Sequence, residues 1–485
     1  MQDLKQALRT FRGNPAYTAT ALLALTLGIG ANAAIFSVFN AVVLKPLPFP
    51  EPESLVQIVV TVNGAPVYGA GSPAGYMHWR AQTDVIEEVA AYRNIALNYT
   101  GGDTLERIAA SQVTEAYFRT FRTPIERGRS FTADEDLPGA AKTVVVSHGF
   151  WTRRLGSDPQ ILGETLLLNG ASHIIVGVVA PEFDTRDFGD ADVWVPFQLD
   201  PDTTDHGEYF RVAARLRPGV SLEQAHARLD ASTAAFRDRF PVTLREDLAF
   251  GAVPLQDALI GTTNDVLGTG TKRLLWTLLG AVGFVLLIAC ANVASLMLVR
   301  ASGRRREIAI RSALGAGRGR ILRQLVTEGL LLSAAGGALG LVFGFAGMRA
   351  LLAINAAGLP RLGEAGASVG LDWRVAAFTC ALAIITGALF SLVPALTASR
   401  TDLGAVIKQS SSRSGSGLHQ SRTRSVLVVA EVGLAVALLI GAALLIRTSL
   451  ALGRVDPGFN VDDVLVLRRR CRRRGFKARA RSTAS

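Results

Sequence analysis

Cysteine is scarce in this chain, with three in 485 residues: Cys290, Cys380 and Cys471. Three thiols cannot build a disulfide scaffold, and the first two lie inside long apolar runs, where a cysteine reads as a small packing residue. Histidine is thin as well. The six, His78, His148, His173, His206, His226 and His419, fall into no H-E-x-x-H or comparable metal-ligand spacing. No G-x-x-x-x-G-K-[ST] string occurs, so the chain has no loop of that kind to cradle nucleotide phosphates. Asp184, Asp187, Asp190 and Asp192 cluster, but their spacing is unlike an EF-hand and reads as a solvated loop. Catalytic, cofactor and metal residues are therefore all expected to be absent, and the chain reads as a non-enzyme.

Acidic residues are short too. There are 40 Asp and Glu against 51 Lys and Arg, a net charge of +11. The basic excess lies beside the apolar runs and in the last residues, which points to a membrane surface and excludes nucleic acid as the natural partner. Hydrophobic residues make up 49% and charged ones 19%, too apolar for a soluble protein yet too polar for a chain made only of membrane spans.

What is present is a set of five apolar runs of spanning length: 17–44, 274–299, 322–354, 373–398 and 425–450. The first is too long for the apolar region of a signal peptide, and Lys45-Pro46-Leu47-Pro48 after it offers no small-residue cleavage site. Before it, Leu4, Ala7, Leu8 and Phe11 alternate with Lys5, Arg9 and Arg12 at helical spacing, the pattern of an interfacial helix over 1–16. Asn32 and Asn40 within the first span are expected to hydrogen-bond to neighbouring helices. Residues 45–271 have ordinary charge density. There 55–62, 142–148, 164–170, 172–180 and 191–197 read as strands, while 72–82, 114–121 and 221–240 read as helices. The fold class that follows is a membrane protein: an α-helical transmembrane bundle with a large α+β domain inserted between the first and second spans.

Between the second and third spans, Arg300 to Arg323 holds eight arginines against Glu307 alone. Short basic loops stay in the cytoplasm, which places the N-terminus inside and the 45–271 domain outside. Within this loop 304–314 fits a short amphipathic helix ended by Gly315 and Gly317. Further on, Gly336, Gly340 and Gly344 recur every four residues, a face that lets a neighbouring helix backbone approach. A basic, Ser-rich linker fills 401–424, and Glu431 sits about two turns into the fifth run, where an intramembrane carboxylate is a functional candidate but a place near the start reads as an N-terminal anion. Basic segment, long apolar run and Pro-containing exit recur there as at the N-terminus, which suggests an internal repeat.

The ordered string Arg306-Glu307-Ile308-Ala309-Ile310-Arg311-Ser312-Ala313-Leu314-Gly315-Ala316 resembles the coupling helix of MacB-like and FtsX-like ABC permeases, and 144–183 resembles their periplasmic core domain. The openings at 7–49 and 424–459 resemble the acidobacterial duplicated orphan permeases, a subgroup with two copies of the unit in one chain. The resemblance implies that Arg306, Glu307, Ile308, Ile310, Arg311, Leu314 and Gly315 dock on a separate cytoplasmic ABC ATPase that holds the ATP. It further implies a periplasmic core domain over 45–271, an FtsX-like permease core over 272–400 with spans two to four, a fifth span over 425–450, and over 451–485 the start of a second periplasmic domain with an atypical basic tail. On this reading the chain is a truncated first half, and 468–485, eight of whose residues are arginine, follow a shift of frame, the functional alternative being a tail for anionic lipid or nucleic acid. The implied function is an efflux permease, multi-pass in the bacterial inner membrane, that moves cargo such as macrolides, peptides or lipoproteins, with membrane lipid, a periplasmic adaptor and a second copy as partners. The alternative is an FtsX-like sensor or scaffold that regulates a periplasmic partner without transport.

Overall fold

Two Asn-Gly pairs show how local chemistry starts the sheet. Asn63-Gly64 and Asn169-Gly170 both take positive φ at each residue, the backbone of a two-residue hairpin turn whose twist matches the strands it joins. They close β1 (Leu55–Val62) onto β2 (Ala65–Tyr68) and β7 (Thr165–Leu168) onto β8 (Ala171–Val179). The computed structural model describes residues 9, 11–69, 71–101, 106–181, 183, 191–241, 243–260, 269–303, 318–353, 372–399 and 417–453. The chain divides into two units, Met1–Lys45 with Lys272–Asp456, and Pro46–Thr271 with Pro457–Ser485.

The second unit is built on one mixed sheet of eleven strands. The remaining strands are β3 (Ile86–Tyr99), β4 (Glu106–Val113), β5 (Ile125–Gly128), β6 (Thr143–Val146), β9 (Val193–Pro196), β10 (Arg211–Leu216) and β11 (Leu248–Pro254). The order is β11-β1-β10-β3-β4-β9-β6-β8-β5, with β2 beside β1 and β7 joining β3 to β8. Only β4 with β9 and β6 with β8 run parallel. The strands expected at 55–62, 142–148, 164–170, 172–180 and 191–197 are present as β1, β6, β7, β8 and β9.

The helices of this unit start on sequence caps. Ser72 accepts a hydrogen bond from the Gly75 amide (3.1 Å), Ser147 from Phe150 (3.0 Å), and Ser221 forms a capping box with Gln224. Counting in chain order after the first membrane helix α1 (Pro15–Phe39), these caps open α2 (Pro73–Arg80), α4 (His148–Arg154) and α5 (Leu222–Arg239). The short α3 (Tyr117–Thr120) and α6 (Leu255–Ile260) complete the unit. Three large apolar clusters fill most of it. Ile58, Val60, Trp79, Phe236 and Phe250 form one; Phe49, Tyr92, Phe121 and Trp194 a second; Tyr99, Phe150, Trp151 and Ile175 a third.

The first unit is helical. After α1, which continues as a π-turn over Asn40–Leu44, come α7 (Thr269–Gly303), α8 (Arg318–Ala353), α9 (Trp373–Ser399) and α10 (Gly417–Gly453). Among the described residues five segments on these helices are long and apolar enough to cross a membrane: Pro15–Leu44, Gly270–Arg300, Arg323–Arg349, Trp373–Ser391 and Ser425–Thr448. Leu25, Ile29, Val293, Leu332 and Phe390 form their shared core. On α10, by contrast, Val429, Leu439 and Leu444 remain exposed, as expected of a helix whose solvent is lipid.

Two expectations need correction. Cys290 is buried, as a packing residue should be, but Cys380 is exposed on α9 and packs into no core. Glu431 is not an N-terminal anion, because α10 begins at Gly417 and the field of a helix terminus fades within about one turn.

Candidate functional site: a glycine seam between helices

Helix α8 is lined with small residues on two sides. On one side, Gly336, Gly340 and Gly344 meet α1. A Cβ at 340 would stand 3.0 Å from the Gly30 nitrogen, one at 344 would stand 2.6 Å from the Gly30 carbonyl oxygen, and one at 336 would stand 2.7 Å from the Leu25 Cβ. Backbone therefore lies on backbone, a separation that only glycine permits, and in lipid such dispersion contacts are a principal force holding helices together. On the other side, Ser333 Oγ donates to the Ala383 carbonyl of α9 at 2.6 Å, and a Cβ at Gly387 would come within 3.0 Å of Ser333 Cβ.

The far end of α1 is held just as closely. Asn32 Nδ2 donates to its own Gly28 carbonyl (2.8 Å) and to the Val282 carbonyl of α7 (2.9 Å). Phe36 stacks on Phe378 with ring centroids 3.9 Å apart, and Phe39 meets Trp276 edge-on at 4.9 Å. At the π-turn, Asn40 Nδ2 lies 3.5 Å from Asp372 Oδ2, and Arg374 donates to the Leu44 carbonyl at 3.2 Å. The extra residue of a π-turn is a departure found disproportionately at functional positions. Helix α1 thus touches α7, α8 and α9 within about three turns of its exit.

Of the residues expected to function, the structure places Gly336, Gly340 and Gly344 together on one face of α8. Arg306, Glu307, Ile308, Ile310, Arg311, Leu314 and Gly315 lie outside the described residues, as do Asp184, Asp187 and Asp190. Asp192 is described and pairs with Arg153 at 2.7 Å. Among the described residues no group of three His, Cys, Asp or Glu side chains is arranged to hold a metal ion. The string Gly366-Ala367-Ser368-Val369-Gly370 spells G-x-S-x-G and lies outside the described residues. The flanking described elements are the helices α8 and α9, so the strand that should precede a nucleophile turn of that kind is missing among them.

Two features escaped the sequence reading. Glu328 on α8 is buried, 3% exposed, and accepts from Gln324 Nε2 at 3.2 Å. A carboxylate at that depth in a spanning segment is rare outside functional positions, and its i, i+4 spacing from Gln324 is the only local signal of it. The second is a carboxylate staple in the sheet unit. Asp136 accepts the Glu115 amide (3.0 Å) and the Gln198 amide (2.8 Å), and Glu115 itself pairs with Arg80 (3.1 Å) and Arg119 (2.6 Å). Burial pushes the Asp136 carboxyl up to about 6.

That shift sets a pH dependence. Because the folded pKa lies above the unfolded value of 3.8, the folded state holds a proton between about pH 4 and 6 that the unfolded chain releases. Its contribution is complete below about pH 4 and is lost as pH rises through about 6, a change on the order of 3 kcal/mol. Asp136→Asn should remove this component from the pH profile of unfolding, measured from pH 4 to 7. Superimposable slopes for the variant and the parent would contradict the assignment.

Comparison with known proteins follows the same division. Residues 18–232 match the model of the MacB-like periplasmic core domain, and residues 279–403 match that of the FtsX-like permease C-terminal region. The uncharacterized ABC transporter permease YknZ of Bacillus subtilis (strain 168) is 26% identical over 294 residues, 60% of this chain and 67% of that protein. The macrolide export ATP-binding/permease protein MacB 1 of Yersinia pestis bv. Antiqua is 26% identical over 421 residues, 82% of this chain. The chain spans 59% of the length of that relative. Among solved structures, the periplasmic region of MacB from Actinobacillus actinomycetemcomitans aligns with a TM-score of 0.33 and 12% identity, over 47% of this chain and 94% of that one. With a match to the MacB-like core domain that begins within its first spanning helix and a match to the FtsX-like region over the next three, the chain carries both domains of the MacB-like, FtsX-like ABC transporter permeases to which it is similar.

Proposed function

We propose that this chain is the membrane subunit of an export system driven from outside itself: a separate cytoplasmic ABC ATPase binds ATP, closes on residues 304–314, and the displacement passes through α8 to α1. From there it enters the core domain, which directly follows α1 in the chain and acts on cargo on the outer side of the inner membrane, with the N-terminus inside. The observation that carries this reading is the seam. Helix α8 is the first described element after the proposed docking segment, and its glycines bring it into backbone contact with α1, so a sideways displacement of α8 presses directly on α1. The relatives named above include an ATP-binding/permease protein for macrolide export, which supports the class of activity. The duplicated orphan permease subgroup, a periplasmic adaptor and pairing with a second copy belong to the same proposal.

The test is made on the docking segment. Ile310→Asp puts a charge where an apolar contact is proposed, and in membranes holding the ATPase it should cut coupled transport roughly tenfold or more while leaving insertion intact. Arg305→Ala should matter less, since neighbouring arginines share its charge. Equal, mild effects would reduce the segment to a topology signal. Full ATPase binding with no transport by the unaltered chain would favour the sensor or scaffold reading instead.

A further inference from the structure

The sheet unit contains a cavity of about 290 Å³ on the face where β3, β4 and β9 lie side by side, walled by the β7–β8 hairpin. That volume is near the lower end of ligand pockets, which run from ~300 to 1,000 Å³. Its floor is aliphatic, from Ile95 and Leu97 on β3, Leu168 on β7 and Val195 on β9.

The polar lining is more informative, because existing bonds fix which end of each group remains. Gln112 Oε1 takes two hydrogen bonds from the Arg93 guanidinium, at 2.9 and 2.7 Å. Asn169 Oδ1 accepts from the Asn98 backbone amide at 2.9 Å. A guanidinium and a backbone N–H can only donate, so the bonded end of each amide is its oxygen and the NH2 group is its remaining donor, with one further lone pair left on Asn169 Oδ1. Lys142 is the basic residue of the lining. Two acceptors accompany these three donors. Gln198 Nε2 is used on the Glu135 and Ala140 carbonyls (3.3 and 3.1 Å), which leaves its Oε1. His173 gives its Nδ1 proton to the Ala171 carbonyl (3.0 Å), which leaves Nε2. Among the described lining residues Lys142 carries the one formal charge, and none is a carboxylate.

A ligand that satisfies this set must be apolar in body, must carry an anionic acceptor for Lys142, Gln112 and Asn169, and must hold at least one N–H donor for Gln198 or His173. We propose that the cavity binds the apolar C-terminal end of a peptide, one or two residues deep, with the terminal carboxylate on the donors and a main-chain amide on the acceptors. A plain fatty acid supplies the carboxylate and the tail but no N–H. The inference stands apart from the export reading, because it is measured without any ATPase.

The experiment uses the full chain in phosphatidylcholine nanodiscs, titrated by saturation-transfer NMR with N-acetyl-Leu-Leu, its C-terminal amide, and octanoate, with empty nanodiscs as the blank. The free acid should bind, and the amide and octanoate should each bind roughly tenfold more weakly, about the worth of a charge-assisted hydrogen bond. Lys142→Met should weaken the free acid by a similar factor, leave the amide unchanged, and be rescued by Lys142→Arg. Hydrogen exchange of β6 and β8 in each variant confirms that the sheet is intact. Equal binding of acid and amide, equal binding of octanoate, indifference to Lys142→Met in an intact sheet, or no signal above empty nanodiscs would each overturn the proposal.

Discussion

Arg215→Ala is expected to destabilise the core domain by about 3–5 kcal/mol. Arg215 on β10 is fully buried. Its Nε donates to the Thr120 carbonyl at 2.8 Å, and its Nη1 donates to Ser54 Oγ at 2.6 Å and reaches the Glu51 carbonyl at 3.4 Å. The Glu51 carboxylate stands 4.0 Å away as the counter-charge and also pairs with Arg122 at 2.8 Å. Truncation removes the guanidinium, leaves the Thr120 carbonyl without its donor inside the fold, and opens a cavity where a long side chain ran. Hydrogen exchange of the β1 and β10 amides in the full chain is the readout, because it reports this unit without assuming that the whole protein unfolds in one step. Arg215→Met, which keeps most of the volume, should recover only the cavity part. A loss below about 1 kcal/mol for Arg215→Ala would mean that the network is ornamental.

Gly344→Leu should have the largest effect in the membrane unit. The Cβ alone would come 2.6 Å from the Gly30 carbonyl oxygen, and that obstacle is backbone, so α1 and α8 must move apart to admit it. Overpacking of this kind costs about 1–3 kcal/mol, and by separating the helices it should also abolish whatever motion the seam transmits. Gly347→Leu is the internal control, since a Cβ at 347 meets nothing within 4 Å. Thermal inactivation of both variants in nanodiscs decides the matter: Gly344→Leu should fall well below the parent while Gly347→Leu matches it. Matching curves for the two would show that the seam tolerates separation.

These expectations also mark how far the sequence alone could reach. Strands buried on both faces were legible, because β1 and β6 are largely apolar and β-branched, and Ser221 with Gln224 announced α5. Strand β3 was not legible, since its second half, Arg93-Asn94-Ile95-Ala96-Leu97-Asn98, keeps one face accessible, and β4 reads Glu-Arg-Ile-Ala-Ala-Ser-Gln-Val. Such strands exist because their neighbours pair with them: β4 lies parallel to β9, a partner some eighty residues downstream. The seam shows the same limit. Four-residue spacing revealed Gly336, Gly340 and Gly344, but nothing local named Gly30 and Leu25 as what they meet, since the pairing of helices is a property of the bundle. Glu328 was missed because one carboxylate among many Leu and Gly looks the same whether it is buried or faces solvent, and only the folded helix separates the two.

The glycine row on α8 has a geometric consequence for how the bundle can change shape. Gly30 sits against Gly340 and Gly344, and the row continues one step down to Gly336. Sliding α1 along α8 by one turn, about 5.4 Å, would seat Gly30 between Gly336 and Gly340, where the wall is again bare backbone. For Gly30 the two positions are nearly degenerate. What breaks the degeneracy is Leu25, which now lies over Gly336 and after such a step would lie over the bulkier Leu332, a side chain where the glycine offers none. The glycines thus make the contact slippery, and a single bulky pair four residues below them decides where it comes to rest.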